Sequence, residues 1–209
     1  MDQSPQQPVP SSILDCEKQI KDIFAHCADV VIEPFETPRD NAMIVYIDGL
    51  AKKAFIHRDV MQPLKSENFD GNASMAIMAP FKECTDMAAV TQEVLRGNVA
   101  FFYGKSEIAR ILEFRDFKSR AVEEPDAEAV IRGPKEGFTE SLRVNTALIR
   151  RKIKTPALKA ENYTLGRQSN TAVSVMYIDG IANQDVLAEI KKRLSVIDVD
   201  IILESGQIE

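Results

Sequence analysis

Two six-residue stretches of the chain are nearly identical: YIDGLA at residues 46–51 and YIDGIA at 177–182. Each follows an apolar run and precedes apolar residues at helical spacing, so each predicts a strand, a tight turn and a helix, the opening half of a βαβ unit. Asp-Gly suits the turn because glycine tolerates positive φ and aspartate can bond its own downstream backbone. A solenoid repeats every ~20–50 residues. The longer spacing here predicts two similar lobes, the alternative being a chance match.

The predicted fold class is α/β, with two similar α/β lobes whose mixed sheets are flanked by helices. In chain order we expect a flexible tail (1–11), a first lobe (12–128), a connection with a basic helix and an extended segment (129–170), and the start of a second lobe (171–209). A buried strand is expected at 75–78 and a further strand at 200–203. The second lobe has no counterpart of the helix and hairpin of 85–114, so it is predicted to be incomplete.

Composition and charge narrow the function classes. The chain has 209 residues, a net charge of −6, three cysteines without metal-ligand spacing and no tryptophan. This favours a globular protein of a reducing compartment without a zinc site, and disfavours a nucleic-acid partner. Residues 132–167 nevertheless hold nine basic and three acidic side chains. That segment predicts a docking surface for an acidic protein segment or anionic lipid headgroups, or else a solvated helix face.

The most unusual local sequence is RGPKEGF at 132–138, followed by a predicted helix from about 139 to 153. Thr139 is expected to cap this helix, with Glu140 in its first turn. Asn145 falls on an apolar stripe and therefore needs a hydrogen-bond partner if buried, for which the backbone of the 133–137 loop is the simplest source. The predicted inward face is Leu142, Asn145, Thr146, Ile149 and Ile153. The predicted basic flank is Arg143, Arg150 and Lys154.

No catalytic signature is present. Asp48 and Asp179 end their predicted strands, where α/β enzymes place reactive carboxylates, but neither has a second carboxylate two residues on. Turn formation is the favoured interpretation, and a hydrolase or phosphatase acting through either residue is a disfavoured alternative. His26 and His57 have no partner nearby in sequence, and Gly104-Lys105-Ser106 lacks the spacing of a phosphate loop. We predict no enzyme, no cofactor and no metal.

The segments 132–153, 177–182 and 197–200 resemble the GerA family, the A subunits of spore germinant receptors of endospore-forming bacteria. The resemblance is specific from residue 132 onward and looser before it. Val144 stands where members often carry Thr, and Asp179 where they often carry Glu. The matched motif positions are Arg132, Gly133, Pro134, Gly137, Phe138, Glu140, Leu142, Arg143, Asn145, Arg150 and Arg151.

The resemblance implies a soluble N-terminal domain that faces the spore core and precedes a part embedded in the spore inner membrane, reached beyond residue 209. It implies B and C subunits and other A subunits as partners, and a nutrient such as an amino acid, sugar or nucleoside. One hypothesis is a sensing or coupling domain with a cleft between its lobes; the other is a pure oligomerisation scaffold. The candidate ligand or interface residues are Arg132, Gly133, Pro134, Gly137, Phe138, Arg143, Asn145, Arg150 and Arg151.

Overall fold

A computed structural model describes residues 7–115 and 137–208 of the chain. The chain divides into two compact units, one formed by Met1–Phe24 and Asp29–Thr155 and the other by Ala25–Ala28 and Pro156–Glu209. The basic helix that the sequence places in a connecting segment is therefore part of the first unit. The extended segment that follows it is part of the second.

The first unit is a sheet with helices on both faces. Its elements are α1 (Ile13–Ile23), β1 (Val30–Glu36), β2 (Asn41–Ile47), α2 (Lys53–Ile56), a π-helical turn (His57–Met61), α3 (Gln62–Leu64), α4 (Ala73–Ala76), β3 (Phe81–Cys84), α5 (Met87–Leu95), β4 (Val99–Tyr103), β5 (Ala109–Leu112) and α6 (Leu142–Lys152). The five strands are ordered β1-β2-β4-β5-β3.

The apolar run of β2 is buried on both faces of this sheet. Ala42, Ile44 and Tyr46 join a core with side chains of α2, the π-helical turn, α3 and α4. Successive residues of a strand point to opposite faces, so Met43 and Ile47, both fully buried, point to the other face, on which α1 and α5 contact the strands.

The second unit is a two-stranded hairpin with one long helix. Its elements are β6 (Leu158–Leu165), β7 (Thr171–Ile178), α7 (Gln184–Val196) and a 3₁₀ turn (Ser205–Gln207). Leu165, Leu194 and Ile202 form its core.

Both copies of the repeat build the same turn. Gly49 has φ = 84° and Gly180 has φ = 80°, the left-handed region that glycine enters without steric cost. Leu50 N donates to Ile47 O over 3.1 Å, and the corresponding bond from Ile181 to Ile178 is 3.2 Å. The sequence repeat therefore corresponds to a structural repeat.

The correspondence extends backward into the strand before each copy. The amides of Asp48 and Asp179 donate to Asp29 O and Ala157 O, each over 2.8 Å. The next residues along these first strands pair with the ends of β2 and β7 in the same register: Val30 with Ile47, and Leu158 with Ile178. Each copy is thus a hairpin, a turn and a helix.

The predicted α/β class is confirmed, but the strand pairing differs from the expected mixed sheets. All pairs between the described strands are antiparallel, and a parallel contact occurs as an isolated bridge between Cys27 and Ala160. Each repeat strand pairs with the strand just before it through a short loop, which makes an antiparallel hairpin, whereas a parallel pair needs a long crossover.

Two predicted strands are wrong. Residues 75–78 fall at α4 and just after it, where Asn72 caps the helix by accepting from Met75 N at 3.3 Å, and Met75 and Met78 are 80% and 75% exposed. Residues 200–203 form no strand. The backbone of Ile202 instead bonds to side chains. Its N–H donates to Ser169 Oγ, and its carbonyl oxygen accepts from Thr171 Oγ1.

Candidate functional site

Helix α6, the helix that follows the unusual motif, has side-chain hydrogen bonds that fix its N-terminal end. Ser141 is its N-cap and accepts from Val144 N, so the prediction of Thr139 as the cap is wrong. Asn145 holds the preceding segment instead: its Oδ1 accepts from Thr139 N at 2.7 Å, and its Nδ2 donates to Thr139 O at 2.8 Å. Asn145 therefore bonds the backbone of Thr139, just before the helix. Residues 133–136 of the predicted partner loop lie outside the described residues.

The inward face of α6 differs from the predicted stripe. The buried side chains are Thr146, Ala147, Leu148 and Arg150. Ala147 packs against the Asp48-Gly49 turn of the first repeat copy, which we call the first-copy turn. The packing is so close that a Cβ at Gly49 would lie 2.9 Å from the Ala147 Cβ and 3.0 Å from Arg143 O. Contact with a glycine turn, which needs a small residue opposite it, sets this face, and apolar spacing alone could not indicate it.

Arg150 is fully buried, which corrects its assignment to a surface flank. Its Nε donates to Asp29 Oδ2 at 2.6 Å and its Nη2 to Asp29 Oδ1 at 2.9 Å, with the two side chains 0% and 6% exposed. Its Nη1 also donates to Thr155 O at 3.2 Å. A bidentate pair of this kind fixes orientation as well as charge. It ties the end of α6 to the residue that precedes β1.

A second ion pair joins the start of α6 to the same turn. Arg143 Nε lies 2.9 Å from Asp48 Oδ2, with the side chains 53% and 41% exposed. Half-exposed pairs contribute little stability, so this pair mainly sets the register of the helix on the turn. The Asp48 carboxylate is thus engaged by a cation, and the described residues hold no cluster of three or more His, Cys, Asp or Glu that could bind a metal.

The exposed part of the site is the N-terminal end of α6. Phe138 is 72% exposed and Val144 is 40% exposed. Of the other candidate residues, Gly137 and Arg151 are half-buried, whereas Arg132, Gly133 and Pro134 lie outside the described residues.

The cationic excess of residues 132–167 is partly neutralised within the chain. Arg143 and Arg150 pair with aspartates, and Arg167 pairs with Asp198 and Asp200.

A pocket of about 540 Å³ in the first unit was not predicted. Phe81, Ile111 and other apolar side chains line the pocket. Three polar side chains, Glu93, Asn98 and Arg115, also line it and bond to one another. Asn98 Nδ2 donates to Glu93, and Arg115 Nε donates to Asn98 Oδ1 at 2.7 Å. Asn98 is 1% exposed. In the sequence, Asn98 simply follows Gly97 after the end of α5, and nothing in that position predicts a buried residue that bonds other pocket side chains.

The second unit holds a cluster of titratable groups around Glu161. Lys191 Nζ lies 2.7 Å from Glu161 Oε1, and the hydroxyls of Tyr177 and Tyr163 donate to the same carboxylate. Burial alone would raise the pKa of Glu161, but the hydrogen bonds from Lys191, Tyr177 and Tyr163 outweigh it and lower that pKa. Burial and the bond to Glu161 raise the pKa of Tyr177 well above its usual range.

The chain matches the model of a protein family described as Bacillus/Clostridium GerA spore germination protein, over residues 18–209. Curated relatives include the uncharacterized membrane protein YfkQ of Bacillus subtilis (36% identical, 88% of this chain, 37% of the relative) and spore germination protein KA of the same organism (34% identical, 87% and 36%). The chain thus spans little more than a third of these relatives.

The crystal structure of the N-terminal domain of the A subunit of the Bacillus megaterium spore germinant receptor GerK3 is similar. It has a TM-score of 0.74 and 29% identity, with 97% of this chain and 78% of that one covered. In the parts of this chain that are described, no helix has the length and apolar character needed to cross a bilayer.

Proposed function

Because the chain belongs to the Bacillus/Clostridium GerA family of spore germination proteins, we propose that it is a non-catalytic coupling and assembly domain of a germinant receptor A subunit. In this proposal it contacts other subunits and transmits a nutrient-dependent change to a membrane-embedded part of the receptor. It would lie on the spore-core side of the inner membrane. The crystallised A-subunit domain and the relatives named as germination proteins support this role.

The observation that carries the proposal is the way α6 is held. Arg150 with Asp29 fixes one end of the helix and Arg143 with Asp48 the other, while Ala147 packs on Gly49 between them. A helix held at three points presents its exposed side chains at low entropic cost, which favours binding.

The proposed contact surface is formed by two exposed apolar side chains, Phe138 in the segment before α6 and Val144 in its first turn. Phe138 and Val144 are side chains of the kind that anchor interfaces, and large aromatics dominate binding energies there. The neighbouring subunit would cover these side chains. Its binding would act on the first-copy turn through α6, which is fixed on that turn.

The test is Phe138→Ser with Val144→Ser, in spores that carry the receptor. We expect the affinity for the other receptor subunits to fall about thirtyfold, since loss of a hot-spot anchor costs about 2 kcal/mol. Co-purification of those subunits and the germination rate should fall with it. Met75→Ser with Met78→Ser is the matched control, because these apolar side chains are at least as exposed but lie at α4 and just after it. Normal assembly and germination of the α6 variant would contradict the proposal.

A second candidate function, nutrient sensing, is favoured by the pocket that contains Asn98. Its volume is within the range of small-molecule sites, and it joins apolar walls to a few fixed polar groups. NMR titration of the purified chain with amino acids, sugars and nucleosides separates the two functions. Saturable shifts at Phe81, Asn98 and Ile111 would support sensing, and absence of shifts would support assembly alone.

A further inference from the structure

The helical segment from α2 to α3 carries a surface that is much more basic than the chain as a whole. Residues 52–65 contain four Lys or Arg side chains, one histidine and one acidic side chain, in a chain with a net charge of −6. The histidine and three of the four cations are exposed. We call this set the basic stripe: Lys52, Lys53, His57, Arg58 and Lys65.

The π-helical turn brings the two ends of the basic stripe to one side of the segment. Gln62 N donates to His57 O, five residues back, so this turn holds one residue more than an α-helical turn. In a regular α-helix of 3.6 residues per turn, Lys53 and Lys65 would lie about 120° apart around the axis. The extra residue removes about 100° of that angle. Turns of this kind are frequent at functional sites.

Most of the charge of the basic stripe is not neutralised within the described chain. Arg58 pairs with Asp59, its Nη2 donating to Asp59 Oδ2 at 2.8 Å. Among residues 7–115 and 137–208, no carboxylate lies at ion-pair distance from Lys52, Lys53 or Lys65. The stripe therefore attracts an anionic partner.

Two aromatic rings hold three of these cations in place. Lys52 Nζ and Arg58 Cζ lie 5.3 and 4.7 Å from the centre of the Phe55 ring. Lys65 Nζ lies 5.2 Å from the centre of the Phe35 ring. Cation–π contacts of this kind restrict the side chains. The charges are thus positioned before a partner binds, which lowers the entropic cost of binding.

The surface at the π-helical turn forms an open basin of about 770 Å³. His57, Arg58 and Lys65 of the basic stripe line it, together with the polar side chains of Gln62 and Ser66. All five side chains can donate hydrogen bonds, and phosphate oxygens are strong acceptors for such donors.

We propose that the basic stripe lies on the anionic lipid headgroups of the membrane, with headgroup phosphates in the basin. The inference rests on the proposed function, in which the chain adjoins a membrane-embedded part of the receptor. It adds which surface meets the bilayer and which lipid chemistry that surface binds.

Two features favour a lipid surface over a free phosphate or a nucleic acid. From Lys53 to Lys65 the stripe is roughly 18 Å long, at 1.5 Å per residue, so its charges are spread along a surface and do not converge on one phosphate. The rings of Phe55 and Phe35 are covered by cations, so they do not offer the stacking platform on which single-stranded nucleic acids bind. Contacts of single lysines with headgroups are weak, and attachment to a membrane-embedded part makes them effective.

The experiment places the photoreactive residue p-benzoylphenylalanine at position 62 of the receptor in spores. Gln62 is exposed and lines the basin, so the probe reacts with whatever covers it. We expect a crosslink to phospholipid, identified by mass spectrometry. The same probe at Lys105, which is exposed between β4 and β5, should give no lipid crosslink.

Lys53→Gln with Lys65→Gln tests the charge of the stripe. The equilibrium for lipid contact, and the crosslink yield with it, should fall about thirtyfold, because each Lys or Arg near an anionic bilayer contributes about 1 kcal/mol. The matched control is Lys18→Gln with Lys105→Gln, which removes the same charge from other exposed positions. Lys53→Arg with Lys65→Arg should keep the yield, because arginine keeps the charge. An unchanged yield in the first variant would overturn the proposal.

Other outcomes also overturn the proposal. These are a crosslink from position 62 to a polypeptide or to RNA, or no crosslink in spores that germinate normally. Saturable NMR shifts of His57 and Lys65 with glycerol phosphate, without a lipid crosslink, would assign the basin to a soluble phosphate ester. None of these results bears on Phe138 and Val144, so the test of the assembly function stands. Failure of that test leaves a lipid crosslink interpretable, because the crosslink reports contact with the bilayer alone.

Discussion

The two copies of the repeat share a backbone and differ in their surroundings. In both, a hairpin leads into an Asp-Gly turn with φ near +80° and then a helix. In the first copy α6 lies on the turn and the following Leu50 is buried, whereas in the second copy Gly180 and Ile181 face solvent. The five identical residues of six therefore set the local backbone conformation. Elements distant in sequence decide how deeply the turn is buried and how much its residues contribute to stability.

The largest expected effect is at the buried ion pair of the first copy. Arg150→Met leaves the Asp29 carboxylate buried without a partner, so we expect a loss of about 3–5 kcal/mol in the free energy of unfolding. Adding Asp29→Ala should recover most of it, because Ala157 occupies the corresponding place in the second copy. Urea unfolding checks both variants, and a loss below about 1 kcal/mol for Arg150→Met would contradict the account.

The residue after the turn gives the next largest contrast. Leu50→Ala removes a buried side chain and should cost about 2–5 kcal/mol. Ile181→Ala in the second copy should change stability by no more than about 0.5 kcal/mol, because that side chain is exposed. Thermal and urea unfolding of the two variants provide the comparison, and equal losses would show that the two turns are equally covered.

The glycines themselves separate strain from packing. Alanine at Gly180 should cost about 1–2 kcal/mol, the price of a left-handed conformation. Alanine at Gly49 adds a clash with Ala147 and should cost about 1–3 kcal/mol more. Urea unfolding of the two single variants is the measurement. A loss for Gly49→Ala no larger than that for Gly180→Ala would remove the packing argument.

The smallest expected effect is a pH dependence specific to the second copy. The pKa of Glu161 is lowered in the folded chain. Its ionised carboxylate therefore stabilises the fold at pH values above the unfolded-state pKa of about 4.3, and this stabilisation is lost as the pH falls through the folded-state pKa. Between about pH 5 and pH 3 the native chain should therefore lose more stability than Glu161→Gln does. Lys191→Met should reduce the same dependence. Parallel acid titrations of the native chain and the two variants test this prediction, and the same pH dependence in all three would contradict it.

The sequence predicted what depends on neighbouring residues. The strand-turn-helix pattern, the α/β class and the need of Asn145 for a backbone partner all follow from local spacing and turn chemistry. The family resemblance also came from local motifs, and the match over residues 18–209 confirms it.

What depends on distant contacts could not be predicted from one sequence. Arg150 was assigned to a surface flank because its helical position suggests one, and its partner Asp29 is 121 residues away. The packing of Ala147 on Gly49 shifted the buried face of α6 for the same reason. Residues 75–78 were predicted as a buried strand, because nothing local signals that Met75 and Met78 are exposed at a short helix and just after it.

The most direct test of the central claim is hydrogen exchange at the two turns of the purified chain. Leu50 and Ile181 donate equivalent backbone hydrogen bonds, but Leu50 is buried, in the turn that α6 covers, whereas Ile181 is exposed. We predict that the Leu50 amide exchanges slowly and that the Ile181 amide exchanges quickly. Equal protection of the two amides would contradict the account.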